Sequence, residues 1–178
     1  MLMEHTYEIK FARELVPQPI VCEMARQFRD VMFNIDHLSV SKHDALMRIS
    51  VVGQGASLQK AEKFLLSTRA QVRSVGSRPF AGDFPNVPVR TLAVPPGESP
   101  IHRKIWLTII GSLRRYPLFW VLSRRYDITF NIHQSAVGDP VSILCLTLWG
   151  LATEIEGAVR FLREQGVDVE YGDISTLA

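Results

Sequence analysis

Two hydrophobic periods take turns along this chain, one of two residues and one of nearly four. Thr6 to Phe11 alternates, with Tyr7, Ile9 and Phe11 on one side, and predicts a strand. Pro17 and Pro19 suit a helix entry, since proline costs little in a first helical turn. Ile20, Met24 and Phe28 follow at four-residue spacing and share one helical face. Residues 31–39 predict a second strand, and Ser41-Lys42-His43-Asp44 predicts the turn into a third, Leu46 to Val52. A helix is expected after Gly55 with Leu58, Ala61 and Leu65 inward, and Val72 and Val75 suggest a last short strand.

The same rotation then recurs. Lys104 to Ile110 predicts a strand, and a helix starting near Pro117 carries Leu118, Leu122 and Tyr126 on one face. Ile128 to Ala136 turns at Val137-Gly138-Asp139-Pro140 into Val141 to Trp149. Thr153 and Glu156 have the spacing of a capping box, Gly166 suits a helix stop, and Val167 to Tyr171 reads as a closing strand.

The letters repeat as well as the pattern. Asp30-Val31-Met32-Phe33-Asn34-Ile35 recurs as Asp127-Ile128-Thr129-Phe130-Asn131-Ile132, and Gly53 recurs as Gly150. The offset is 98 positions before Tyr126 and 97 after it. The expected fold class is therefore α+β: two tandem ferredoxin-like βαββαβ repeats, each a four-stranded antiparallel sheet with two helices on one face. Residues 1–75 and 103–178 are the expected repeats. Residues 76–102 hold six of the ten prolines and read as a connector packed on the surface, with an edge strand expected at Val87 to Val94. Repeats of about 75 residues have marginal cores, so the copies are expected to lean on each other.

Helices on one face leave the other face of each sheet open. In the second copy that face is expected to carry Trp106 and Trp149 beside Ile143 and Cys145, an apolar contact surface for the other repeat, a homodimer or a protein partner.

Composition excludes more than it assigns. A charged fraction of 21% and a hydrophobic fraction of 47% are ordinary for a globular protein, and a net charge of +2 gives no argument for nucleic acid. The first residues lack the pattern of a signal peptide, and Leu118 to Leu122 is far too short to span a bilayer, so a soluble cytoplasmic protein with no membrane insertion is expected. Cys22 and Cys145 read as buried free thiols. The histidines and cysteines show no metal-ligand spacing, no nucleophile has a matched base, and no Gly-x-x-x-x-Gly-Lys-Ser/Thr phosphate loop occurs. Neither enzyme activity, metal nor cofactor is expected.

Pro117-Leu118 through Phe130-Asn131-Ile132, Gly138-Asp139-Pro140-Val141, and the run Phe161-Leu162-Arg163-Glu164-Gln165-Gly166-Val167-Asp168-Val169 resemble a NIL domain, an ACT-like member of the ferredoxin-fold group. The module is named for an Asn-Ile-Leu tripeptide on its second strand. Here the tripeptide reads Asn131-Ile132-His133 and Asn34-Ile35-Asp36, without the leucine. The resemblance implies a non-enzymatic regulatory domain. NIL domains stand at the end of ATPase subunits of methionine importers, where they bind methionine and inhibit transport, and they also partner ferredoxin-type modules.

Asn34 and Asn131 are the pointed polar pair, since a strand amide can hold a loop backbone or a ligand. Asp36 and His133 share one repeat position and face the same way, so an inter-repeat pair between them is a candidate. The ACT-like resemblance implies ligands where a first strand meets a first helix at a domain interface. Those segments carry Arg13 in copy one and Gly111, Arg114 and Arg115 in copy two. Gly111 permits close backbone approach, and an arginine there can clamp a carboxylate. The expectation is an amino-acid ligand, with methionine the leading candidate, bound by a pseudo-dimer. The alternative is an interaction or scaffold module with no metabolite ligand.

Overall fold

A computed structural model of the protein describes residues 1–12, 20–40, 43–84, 97–111, 113, 116–137 and 141–172. The elements are β1 (Met3–Ala12), α1 (Ile20–Gln27), β2 (Met32–Val40), β3 (Asp44–Gly53), α2 (Gly55–Ser67) and β4 (Gln71–Pro79), then β5 (Ile101–Ile110), α3 (Leu118–Arg125), β6 (Ile128–Val137), β7 (Val141–Gly150), α4 (Ala152–Glu164) and β8 (Asp168–Tyr171). Strand, helix, strand, strand, helix, strand occurs twice, as the two periods require. β4 is longer than expected and runs on to Pro79. The edge strand expected at Val87 to Val94 lies outside the described residues.

The predicted inward rows are buried. Tyr7, Ile9 and Phe11 on β1, and Leu144, Leu146 and Leu148 on β7, are each 5% exposed or less. They join Leu58, Ala61 and Leu65 of α2 and the buried side of α4 in one continuous hydrophobic core that spans both copies. Fully burying one such large aliphatic or aromatic side chain stabilises by about 1.5–3 kcal/mol.

The sheets differ from expectation. There are not two four-stranded sheets but one of eight antiparallel strands, in the order β4-β1-β3-β2-β6-β7-β5-β8. β2 and β6 join through Ser39↔Ala136 and Val40↔Ser135, and the Ser135 hydroxyl donates to the Leu38 carbonyl at 2.8 Å. Left apart, each copy would expose the backbone donors and acceptors of an edge strand there, and pairing satisfies them. Ser39 and Ala136 are counterparts, 97 positions apart. Counterparts meet each other where a twofold axis passes, so the join is isologous.

The helices repeat this exchange above the sheet. Trp120 of α3 donates its indole N–H to the Val31 carbonyl at 2.8 Å, and Arg124 donates to the Arg29 carbonyl at 2.5 Å. In return, Cys22 of α1 accepts from the Phe130 amide at 3.4 Å, and Arg26 donates to the Ile128 carbonyl and to Thr129. Cys22 and Trp120 are repeat counterparts, as are Arg26 and Arg124.

Two local details complete the frame. Gly150 has φ +158°, and a Cβ there would stand 2.8 Å from the Asp127 carbonyl oxygen, so glycine is needed where β7 passes the start of β6. Gly166 takes φ +92° and closes α4 as expected, its N–H bonded to the Arg163 carbonyl. The capping box at Thr153 and Glu156 does not form. α4 starts earlier, its N-cap is Leu151, and no side chain caps it. The Glu154 carboxylate instead accepts the Asp127 backbone N–H at 3.1 Å.

Candidate functional site

The face of the sheet opposite the core carries the candidate residues, and strand register sets their neighbours. In the first copy Thr6, Ser50 and Asn34 line up across β1, β3 and β2. Asp36 sits at an irregularity between Ile35 and His37, the extra residue of a β-bulge that re-aims the side chain. Asn34 Nδ2 donates to Asp36 Oδ1 at 3.1 Å, and the Ser50 hydroxyl donates to Oδ2. Burial, ahead of these opposing hydrogen bonds, raises the Asp36 carboxyl above its ordinary range.

Because β2 meets β6 only at Ser39 and Val40, the Asn34 to Leu38 stretch is bordered by other residues. There Leu113 and Tyr116, which lie between β5 and α3, come alongside. A small cavity of about 40 Å³ lies between them, bounded by Asn34, Asp36, Leu113, Tyr116, Phe119 and Ser142. Room of that size holds one or two waters or a methyl-sized group. The Ser142 hydroxyl is buried and has no hydrogen-bond partner among the described residues. On the outer face the same Asn34, Asp36 and Tyr116 also border an open concavity of about 1050 Å³, floored by Thr6 and Ser50. Charges around it are mostly engaged. Arg48 pairs with Glu8 at 2.6 Å and Arg78 with Glu4 at 2.6 Å, while Arg73 shares Glu8. The two arginine hydrogen bonds hold Glu8 below its usual pKa.

The second copy builds the equivalent station differently. Asn131, Thr147 and Lys104 line up across β6, β7 and β5, and His133 occupies the matching bulge. His133 Nε2 lies 2.5 Å from Thr147 Oγ1, and burial, then nearby Lys104, lowers its pKa. Asp36 and His133 therefore bond within their own copies. The inter-repeat pair expected between them is not formed, because the copies cross at Ser39 and Ala136 and the two bulges lie on opposite sides of that crossing.

Of the residues singled out in the sequence, Asn34 and Asp36 come together beside Leu113 and Tyr116, and Asn131 and His133 form the second station. Gly111 ends β5 exposed, with φ +53°, a conformation that favours glycine. Arg13, Arg114 and Arg115 lie outside the described residues. Ser142, Ser50 and Tyr116 were missed. Ser142 had a signal: it is a polar residue at inward parity in the apolar run from Val141 to Leu148. Among the described residues no three histidine, cysteine or acidic side chains come together to hold a metal.

The apolar outer surface of the second copy is narrower than expected. Trp149 is half-exposed and stacks on His102 with centroids 4.9 Å apart, and Ile143 and Ile110 are exposed. Trp106 is half-buried and Cys145 is buried, so Cys145 offers no contact surface. Both cysteines are free thiols. Among the described residues no helix is long and apolar enough to cross a membrane.

Residues 103–171 match the NIL domain family. A stretch of 79 residues, 42% of the chain, is 34% identical to the methionine import ATP-binding protein MetN of Myxococcus xanthus strain DK1622, and spans about a quarter (24%) of that protein's length. Among solved structures, a bacterial light-regulated adenylyl cyclase aligns over 97% of this chain and 73% of its own at 12% identity and a TM-score of 0.35. A protein of unknown function from Galdieria sulphuraria aligns over 98% and 99% at 12% identity and a TM-score of 0.31.

Proposed function

We propose, from the NIL domain carried at residues 103–171 and the cavity beside it, that this protein is a non-enzymatic regulator that binds a small amino acid where its two copies meet. The chain up to the end of β4 at Pro79 is then a diverged copy of the same ferredoxin-like unit, the residues between β4 and β5 connect the two, and the pair acts as a fused dimer. Relatedness to a methionine import ATPase makes methionine the first ligand to test.

The observation that carries this reading is the unpaired, buried Ser142 hydroxyl in a cavity that also holds Asn34 and Asp36. An unmet buried polar group costs about 1–3 kcal/mol, and a ligand that meets it regains that energy. Asn34, Asp36, Gly111, Arg114 and Arg115 are the proposed first station, and Asn131, His133 and Arg13 its repeat counterpart. Binding that orders the seam between the copies would bias a downstream partner.

The test is thermal unfolding with each standard L-amino acid. A ligand at one hundred times its dissociation constant stabilises by about 2.7 kcal/mol. No shift with any amino acid at millimolar concentration removes this reading. A second reading, a protein-docking module, rests on Trp149 at 50% exposed beside Ile143 at 43%. Specific co-purification of a protein lost in Trp149→Ser, with no amino-acid response, would favour it.

A further inference from the structure

Resting on that reading, we infer that the chain holds one amine-directed station and not two: Asp36 in the first copy receives the ligand's ammonium group, and the second copy has lost the function. The repeat makes the comparison direct, because each part of the first station has a counterpart in identical register. Asn34 and Ser50 have Asn131 and Thr147, so the amide and hydroxyl floor is conserved between the copies. Three other parts are not. Asp36 becomes His133, Thr6 becomes Lys104, and Ser142 has Ala45 as its counterpart.

These exchanges act in one direction. In the first station a carboxylate stands with each oxygen already fixed by one donor, from Asn34 and from Ser50, which holds it in one orientation. A carboxylate oxygen has lone pairs left after one such bond, so both can still accept from an ammonium. The arginines nearest on that face, Arg48 and Arg78, pair with Glu8 and Glu4. Of the carboxylates bordering the open concavity, Glu4, Asp36 and Asp83, it is the half-buried Asp36 that also borders the small cavity, and this is the anionic group the station presents to a ligand. In the second station the matching position holds an imidazole beside the Lys104 ammonium, which repels a cation and offers it no carboxylate. The hydroxyl that faces the first cavity is a methyl group at the counterpart position. A charge-assisted bond from an ammonium to Asp36 is therefore available once per chain.

Isothermal titration of the full chain tests this with the amino acid that gives the largest thermal shift, its carboxamide and its N-acetyl derivative. One site per chain is expected. The carboxamide, which keeps the amine, should bind within about tenfold of the parent, and the N-acetyl form should bind at least about a hundredfold more weakly. Asp36→Asn should weaken binding at least about tenfold and by more than His133→Gln does, with Ser50→Ala intermediate. Thermal unfolding without ligand shows that each variant is folded. Two sites per chain, equal binding of the N-acetyl form, or a loss in His133→Gln matching that in Asp36→Asn would overturn the inference and leave amino-acid binding standing. Binding of no amino acid at all overturns both.

Discussion

The indole N–H of Trp120 donates to the backbone carbonyl of Val31 at 2.8 Å, tying the first helix of the second copy to the entry of β2 in the first. Trp120 is 2% exposed, so this bond is made without competition from water. Its counterpart, Cys22, reaches Phe130 through a longer sulfur contact. At this pair of counterpart positions the second copy makes the stronger bond, while Arg26 of the first copy bonds Ile128 and Thr129 in return.

Trp120→Phe keeps most of the packing but leaves the Val31 carbonyl unpaired, and should lower stability by about 1–3 kcal/mol. Trp120→Ala adds a cavity and should cost about 3–5 kcal/mol. Urea denaturation read by far-UV circular dichroism should show one transition in each case, because both copies share one core. A biphasic curve, with half the signal unchanged, would show that the copies are stable independently.

Gly150→Ala should be the more damaging of two equivalent glycine substitutions. Its new Cβ meets a backbone oxygen at 2.8 Å, and its φ of +158° is one L residues rarely adopt, so a loss of about 1–3 kcal/mol is expected. At Gly53 the nearest atom is a Val31 methyl at 3.2 Å, which can move, and the effect should stay within about 1 kcal/mol. Equal losses in chemical denaturation would contradict this account.

Asp36→Asn should leave the unliganded protein as stable as the parent, or more so, at neutral pH. Burial raises the Asp36 pKa in the folded state, so the fold favours the protonated acid. Its contribution is present below the unfolded carboxyl pKa of about 4 and is lost as pH rises through the folded value. The parent should therefore lose stability relative to the variant between pH 4 and neutrality, so the variant's lead at neutral pH should shrink on acidification. His133 has the opposite behaviour. Its lowered folded pKa means that stability falls as pH drops from about 6.5 through the folded value, and His133→Gln should remove that part of the profile. Melting temperatures from pH 4 to 8 measure both.

Neither cysteine should react with a thiol reagent in the folded protein. Burial pushes the Cys22 thiol up to about 11, and Cys145 is also raised by burial. Each is 1% exposed. A colourimetric thiol assay should count none within minutes in buffer and two in denaturant. Fast labelling of one thiol in the native state would show that the seam or the outer face opens.

How much of the site was legible follows from the range of the interactions that build it. Asn34, Asp36, Asn131 and His133 could be singled out because a repeated Asn-Ile pair stands on an alternating strand, and alternation alone sets the face. The bulges at Asp36 and His133 could not be read, since a bulge is a mismatch in register with a strand some fourteen residues away. Ser142 looked like a strand residue at inward parity. Only the arrival of Tyr116 and Leu113 opposite β2 turns its hydroxyl into part of a cavity.

The order of elements, their buried faces and the twofold repetition were determined by the sequence, because each depends on hydrophobic spacing within ten or so residues. Gly166 belongs with them, as a local chain reversal. The joining of two predicted sheets into one was decided by the tertiary structure. It requires backbone edges nearly a hundred residues apart to satisfy each other at Ser39 and Ala136. That crossing leaves Asn34 to Leu38 beside Leu113 and Tyr116, and so decides where the small cavity lies.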